Sequence, residues 1–465
     1  MKIKINNKFV EKVAEIAKAS GYKVYLVGGY VRDLLLGKES SDIDFMILGD
    51  GIKFAGLVAK EMKLEVTAVY KNFGTALINT HSGKYEFSSA RKESYERNSR
   101  KPKIEFSGLE DDLSRRDFTI NALCIDLTKP PEIIDLFNGI DDLKNKVIRT
   151  PLEPEKTFDD DPLRIMRAIR FASQLGFSID NPALIAINKM AHRLKEDSVV
   201  SQERITNEFL LILGSSKPSI GLNLLQLTGV MDIIFPEISM LSGVDQRSEY
   251  HHKDVFNHTM QVVDNVAEVS DNIWLRFAAL VHDIAKPKTK KFVENKGWTF
   301  HGHEELGARM MKKIFQRMRL PLHHLDYVSK LVKMHLRPIP LAQDNVTDSA
   351  IRRLAAEAGE ELVDLLTLCR ADITSKNPEK IKKFLKNYDI VEKKIIEVQE
   401  KDNLRNFLSP VRGEEIMRIC NLEPSRKVGI IKKKIEEAIL EGEIPNEYEA
   451  ALNYLYKIKD EILNL

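Results

Sequence analysis

The sequence predicts an α+β head over residues 1–148, followed by an all-α body. Three observations carry this prediction. Up to Ile148, strand-like runs alternate with helical ones. From Pro162 onward almost every apolar repeat has helical spacing. A glycine-paired turn after the first strand then leads into two aspartates one residue apart. In the head, residues 23–28, 42–48, 64–70, 75–79 and 84–88 read as strands, and 8–19 and 54–62 as helices. In the body, residues 163–175, 182–194, 201–213 and 220–228 read as helices. A Gly- and Ser-containing stretch at 241–249 and the segment 375–378 mark further boundaries. The expected domains are therefore 1–148, 149–240, 250–375 and 376–465.

Composition excludes several classes. Hydrophobic residues make up 43% and charged residues 30% of the 465, which fits a globular chain with true cores. Lys+Arg at 71 against Asp+Glu at 69 gives a net charge of +2, so any nucleic-acid surface must be local. Cys124, Cys369 and Cys420 are too widely spaced for a zinc pattern or a disulfide framework, as expected of a cytoplasmic protein. No run approaches the roughly 18 apolar residues of a membrane span.

The strand 23–28 ends in Gly28-Gly29, followed by Tyr30-Val31-Arg32-Asp33. Glycines there let the backbone approach phosphate oxygens, and the next helix points its N-terminus at them. Alone, such a pair is usually only a turn. In Ser41-Asp42-Ile43-Asp44-Phe45, period-2 alternation puts Asp42 and Asp44 on one face. Two carboxylates so placed can hold Mg²⁺ against a triphosphate and an attacking hydroxyl.

Together these residues resemble the signature of the polymerase-β-like nucleotidyltransferases. The string at 28–37 resembles the bacterial and eukaryotic branch that adds CCA to tRNA or poly(A) to RNA. The resemblance implies a polymerase-β-like head, transfer from CTP and ATP to tRNA, and a third acidic residue at Glu86. Asp42 and Asp44 would hold the metals, and Glu86 would orient or activate the primer hydroxyl. It also implies that the polar segment 92–103, which by composition reads as a loop, is an element needed when addition switches from C to A.

In Arg115-Arg116-Asp117-Phe118-Thr119-Ile120-Asn121, Asp117 and Asn121 would share a helix face and suit a ribose hydroxyl, while Arg116 offers a fork to phosphate. The string resembles the family's ribose-recognition motif. In Asp160-Asp161-Pro162-Leu163-Arg164, Pro162 suits the first turn of a helix, and Asp161 and Arg164 would be adjacent on its surface. A carboxylate accepts from an exocyclic amine and a guanidinium donates to a ring nitrogen. One Asp–Arg pair therefore accepts the Watson–Crick edges of cytosine and adenine and refuses those of uracil and guanine. The pair resembles the family's protein template, with Asp160 standing where Glu is frequent. Arg167 is expected to hold triphosphate or primer; Arg170 stays open between that role and solvation.

An adjacent His282-Asp283, with His258 upstream and Asp372 far downstream, gathers ligands fit for a divalent cation. It resembles the HD phosphohydrolase superfamily, with Ala285 where glycine is frequent. The resemblance implies metal ligation by His258, His282, Asp283 and Asp372. His303 and His335 lie where members with a second metal or a phosphate contact carry histidines. The metal is unidentified, and a decayed scaffold is the alternative to an active hydrolase. Segments at 411–417, 422–429, 436–438 and 441–444 resemble the C-terminal part of CCA-adding enzymes with HD domains. The Lys-rich tail reads either as solvated helix faces or as a tRNA contact. The readings thus carried forward are CCA addition, a narrower CC-, A- or poly(A)-adding enzyme, and an RNA-binding HD phosphohydrolase with a vestigial nucleotidyl site. A (p)ppGpp synthetase-hydrolase would order its two domains the other way round.

Overall fold

In the computed structural model the described residues are 3, 5–94, 103–195, 199–248, 251–294, 297–341, 347–374, 378–402 and 409–463. They form two compact units, Met1–Pro236 and Glu237–Leu465.

The first unit opens with α1 (Lys8–Ser20), β1 (Lys23–Val27), α2 (Gly29–Leu35), β2 (Asp42–Leu48), α3 (Gly51–Met62), β3 (Ala68–Tyr70), β4 (Thr75–Thr80) and β5 (Gly83–Ser89). After β6 (Arg91–Ser94), β7 (Lys103–Phe106) and α4 (Leu109–Ser114) come β8 (Leu123–Asp126) and β9 (Ile133–Asp135). Seven strands form one mixed sheet in the order β3-β4-β5-β2-β1-β8-β9, with β2 and β5 parallel. This is the predicted α+β head.

Strand periodicity gives this sheet two chemically different faces. On one, Ile43, Phe45, Ile47, Tyr85 and Phe87 pack with Phe9 and Val13 of α1 and Phe54 and Val58 of α3. Phe9 stacks on Tyr85 with ring centroids 3.5 Å apart, and Phe45 on Phe87 at 4.7 Å. Each buried ring contributes roughly 1.5–3 kcal/mol, which anchors β2 and β5 from behind. The other face carries a smaller cluster of Tyr25, Val27, Met46, Leu113, Ala122 and Cys124. Beside it lie Asp42, Asp44 and Glu86.

Differences from expectation have local causes. The run 64–70 is strand only over Ala68–Tyr70, because that is the stretch β4 pairs with. β8 is buried at all four positions, so its sequence shows no alternation to read. Of the expected loop 92–103, residues 92–94 and 103 belong instead to an antiparallel pair, β6 and β7; residues 95–102 lie outside the described residues.

The first unit continues as helices α5 (Gly139–Asn145), α6 (Pro154–Asp160), α7 (Leu163–Leu175), α8 (Asn181–Met190), α9 (Gln202–Leu213) and α10 (Pro218–Leu227). α7 buries Ile165, Met166, Ile169 and Ala172, and packs on α9 and α10.

The second unit is helical apart from short two-stranded pairs. The helices Val255–Val269, Ile273–Val281, His303–Arg317, Leu325–Met334 and Leu362–Ala371 carry the histidine segment. Helices Gly413–Cys420, Arg426–Glu441 and Tyr448–Leu463 close around Ile416, Ile431, Ile435 and Leu455. The expected boundary near 375–378 falls mostly on residues 375–377, outside the described residues; the helix Pro378–Asp402 begins directly after them. No helix among the described residues is long and apolar enough to cross a membrane.

Candidate active sites

The parallel register of β2 and β5 sets Asp44 directly opposite Glu86 and Asp42 opposite Lys84. The three acidic groups expected from the sequence therefore share one face, with adjacent strands about 4.8 Å apart. Burial raises the Asp44 carboxyl, the Glu86 charge raises it further, and Arg116 opposes both; the outcome is a pKa of about 6. Such crowding favours a proton or a cation between the groups. An all-oxygen donor set of this kind fits a hard divalent cation such as Mg²⁺.

The glycine turn forms the edge of this site. Gly28 has φ +74° and ψ −141°, a conformation that L side chains rarely adopt. A Cβ there would stand 3.1 Å from Arg116 Nη1 and 3.4 Å from Asp44 Oδ2. Gly28→Ala should therefore lower both melting temperature and nucleotide incorporation. Unimpaired incorporation would show that the close approach is dispensable.

Behind the turn runs a buried chain of polar contacts. Arg32 donates from Nε and Nη2 to the two Asp33 oxygens, and from Nη1 to Asn121 Oδ1 at 2.9 Å. Asn121 Nδ2 donates to Asp117 Oδ1 at 3.0 Å, and Arg167 Nε donates to Asp117 Oδ2 at 2.8 Å. Asp117 and Asn121 do meet, but not on one α-helix: Asn121 ends a 3₁₀ turn, Thr119–Asn121, and Asp117 precedes it. α4 ends at Ser114, and the Phe118 N–H donates to Asp117 Oδ1, a local bond that competes with helix formation. Arg167 holds Asp117 while its side chain stays 34% exposed. Arg170 is answered too: its Nε lies 2.6 Å from Glu208 Oε2, an α9 carboxylate that the sequence reading did not single out. Arg116 pairs with the buried Asp112, and Arg32, Arg167 and Arg170 all lie over the Phe171 ring.

Burial would raise Asp117, but Arg167 and Asn121 outweigh it and hold the carboxyl at about 2, against 3.8 for a free aspartate. The sign follows: its contribution to stability is complete above about pH 4 and is lost as pH falls towards 2. Acid titration of unfolding should show this loss, and Asp117→Asn should remove that slope. An unchanged slope would contradict the ion pair.

Asp161 and Arg164 flank the start of α7, but not as a surface pair. Asp161 Oδ1 accepts from the Leu163 N–H at 3.1 Å, and Arg204 lies 3.3 Å from its Oδ2. Arg164 is only 8% exposed. Its Nη2 donates to the Arg115 carbonyl at 2.6 Å and its Nη1 to that of Thr157 at 3.3 Å. Those carbonyls draw the guanidinium inward, a placement that three-residue spacing cannot reveal. Of its five N–H groups, three remain beyond these two bonds.

In the second unit all six expected metal-site residues come together. The donor atoms of His258, His282 and Asp372 lie within 4.8 Å of one another, as do those of Asp283, His303 and His335. His282, His303 and His335 each set Nδ1 2.7 Å from a backbone carbonyl, of Ala279, Phe300 and Val332. Those contacts place the proton on Nδ1 and leave the Nε2 lone pairs pointing inward. His303 Nε2 and His335 Nε2 face each other at 3.3 Å, and both approach Asp283 Oδ1, at 3.2 and 3.8 Å. Opposed lone pairs beside a buried carboxylate fit a cation. Burial pulls His282 down, but Asp283 and Asp372 outweigh it and raise it to about 10, so this position too calls for positive charge. Burial lowers His335 to about 4 and keeps it neutral, the state a ligand needs. A mixed imidazole–carboxylate set suits several divalent metals. Two supporting residues escaped the sequence reading. Lys286 Nζ lies 2.6 Å from Asp283 Oδ2, and Thr374 Oγ1 lies 2.8 Å from His258 Nδ1.

The family model described as "Poly A polymerase head domain" matches residues 24–149. "Probable RNA and SrmB- binding site of polymerase A" matches 176–241, and "HD domain" matches 255–377. An A-adding tRNA nucleotidyltransferase of Deinococcus radiodurans is 31% identical over 74% of this chain and 78% of its own length. A multifunctional CCA protein of Vibrio campbellii is 32% identical over 75% of this chain and 85% of its own. Among solved structures, a tRNA nucleotidyltransferase complexed with a primer tRNA and an incoming ATP analog is 27% identical with a TM-score of 0.58, covering 82% of this chain and 98% of that one. The Bacillus stearothermophilus CCA-adding enzyme in complex with CTP shares the fold at 23% identity, with a TM-score of 0.67 and 98% coverage of both chains.

Proposed function

Because this chain belongs to the bacterial-type tRNA nucleotidyltransferase family with poly(A) polymerase head and HD domain, we propose that it adds C, C and A to tRNA 3′ ends. The carrying observation is the pairing of Asp44 with Glu86 beside the Gly28 turn. Residues 1–148 perform the transfer, 149–240 select the base, 250–375 hold the HD site, and 376–465 contact tRNA.

Asp42 and Asp44 would hold Mg²⁺, which would supply charge neutralisation to the triphosphate. The Gly28-Gly29 backbone admits the phosphates, with the Arg116 guanidinium beside it. Glu86 orients the primer hydroxyl and accepts its proton. The hydroxyl oxygen attacks the α-phosphorus in line, and the bond to the bridging oxygen breaks to release pyrophosphate. Asp117 and Asn121, braced by Arg32 and Arg167, meet the ribose. Asp161 accepts from the base amine, and Arg164 donates one of its remaining N–H groups to the ring nitrogen. A mismatched base leaves these groups unpaired, at a cost of about 1–3 kcal/mol per lost bond.

Single-nucleotide incorporation tests this reading. With tRNA ending before CCA, CTP should add and UTP and GTP should not; ATP should add only once both cytidines are present. Equal use of all four nucleotides would refute base selection.

The second site is proposed to hydrolyse phosphomonoesters or cyclic phosphates at RNA ends. The two ligand trios around Asp283 support that reading.

A further inference from the structure

The sheet edge nearest the transfer carboxylates carries three exposed aromatic rings that neither proposed chemistry uses. Tyr70 is 53% exposed, Phe73 42% and Phe106 73%. Their placement follows from register. Leu77 of β4 pairs with Glu86 and with Ala68 of β3, while Thr75 pairs with Ser88 and with Tyr70. Strand periodicity therefore puts Tyr70 on the same face as Asp44 and Glu86, with β3 two strand spacings, about 10 Å, from β5.

The other two rings gather at the turn into β4. Phe106 Cε1 would touch a Cβ on Gly74 at 3.1 Å, so it lies against the turn that carries Phe73. Arg91 Nη1 donates to the Phe73 carbonyl at 2.7 Å, and its guanidinium sits 5.7 Å from the Phe73 ring centroid. Lys71 beside Phe73 is exposed, as is Lys84, which shares the carboxylate face.

Three rings with cations among them, at a sheet edge, match the chemistry of an unpaired nucleic-acid strand. Bases stack on the rings, and the phosphates meet Lys71, Lys84 and Arg91. A folded surface gains nothing from leaving large rings clustered in water. The face is also continuous with the carboxylates at which the RNA 3′ hydroxyl must arrive.

We propose that Tyr70, Phe73 and Phe106 form a stacking platform for the unpaired RNA 3′ strand, guiding its terminal hydroxyl towards Glu86. The proposal rests on the nucleotidyl-transfer reading. It deepens that reading by assigning the primer strand, rather than the nucleotide, to this edge.

The test uses the full chain. Phe106→Ala and Tyr70→Ala should each raise the KM for tRNA about tenfold, the scale of one lost base–ring contact. The KM for CTP should stay as in the wild type, because the rings meet the primer strand and not the nucleotide. Phe106→Trp should keep the wild-type KM, and its added indole emission should be quenched by an RNA oligonucleotide ending in CC. An unchanged tRNA KM in both alanine variants overturns the platform. So does a loss of self-association in sedimentation without a change in tRNA KM, which would assign the rings to a second copy of the chain. Absence of incorporation by the wild type would instead sink the transfer reading, and the oligonucleotide quench is read independently of it.

Discussion

Asp44→Asn is expected to abolish nucleotide addition while leaving the protein at least as stable as before. The substitution keeps the side-chain shape and removes one of the two adjacent carboxylates proposed to hold Mg²⁺. Loss of charge at such a centre costs on the order of a thousandfold or more in kcat. The stability direction follows from the pKa. Burial and the Glu86 charge raise Asp44 to about 6, above its free value of 3.8, with Arg116 only partly offsetting them. A carboxyl raised on folding favours the folded state below pH 3.8, and that advantage is lost as pH rises to about 6. At neutral pH the ionised group is therefore a strain on the fold, and the neutral amide relieves it. Thermal melting read beside single-turnover incorporation checks both halves. Retained incorporation, or a collapsed melting temperature, would contradict the role assigned to Asp44.

Asp283→Ala should empty the histidine site of metal. The carboxylate lies 3.2 Å from His282 Nε2, 3.2 Å from His303 Nε2 and 2.6 Å from Lys286 Nζ, so it joins both ligand trios. Losing a ligand should weaken metal affinity at least on the order of a hundredfold, beyond the usual cost of losing an outer-shell partner. Any phosphohydrolase activity should vanish with the metal, and nucleotide addition should continue, because that chemistry uses other side chains. His303→Ala serves as the milder companion, since it removes one imidazole and leaves no buried charge alone. The check is metal content after dialysis, with both activities measured on the same preparation. Full metal occupancy in both variants would refute the ligand assignment.

What the sequence revealed depended on how local the determining interactions were. β2 was legible to the residue because its alternation is set by one buried face. The Gly28 turn was legible because glycine alone tolerates that backbone. The histidines were legible because metal chemistry limits which residue types can gather. β8 was missed because both of its faces are buried. The pairing of Asp117 with Asn121 was anticipated on the wrong element: a local side-chain bond to the Phe118 N–H, and tertiary partners such as Arg167, override the helix that spacing suggested. Arg164 was expected on a surface and is buried, because the Arg115 carbonyl that holds it lies 49 residues away in sequence. Glu208 gave no signal of its own. Its role appears only when α9 packs against α7 and brings it to Arg170.

The central claim, complete CCA addition, is tested most directly by sequencing 3′ ends after incubation of three tRNAs with all four nucleotides and Mg²⁺. The three end before CCA, after C and after CC. Each should be extended to CCA, and extension should then stop. Addition confined to the tRNA ending in CC, arrest at CC, or an unbounded A tail would contradict that claim and assign the chain to a narrower member of its family.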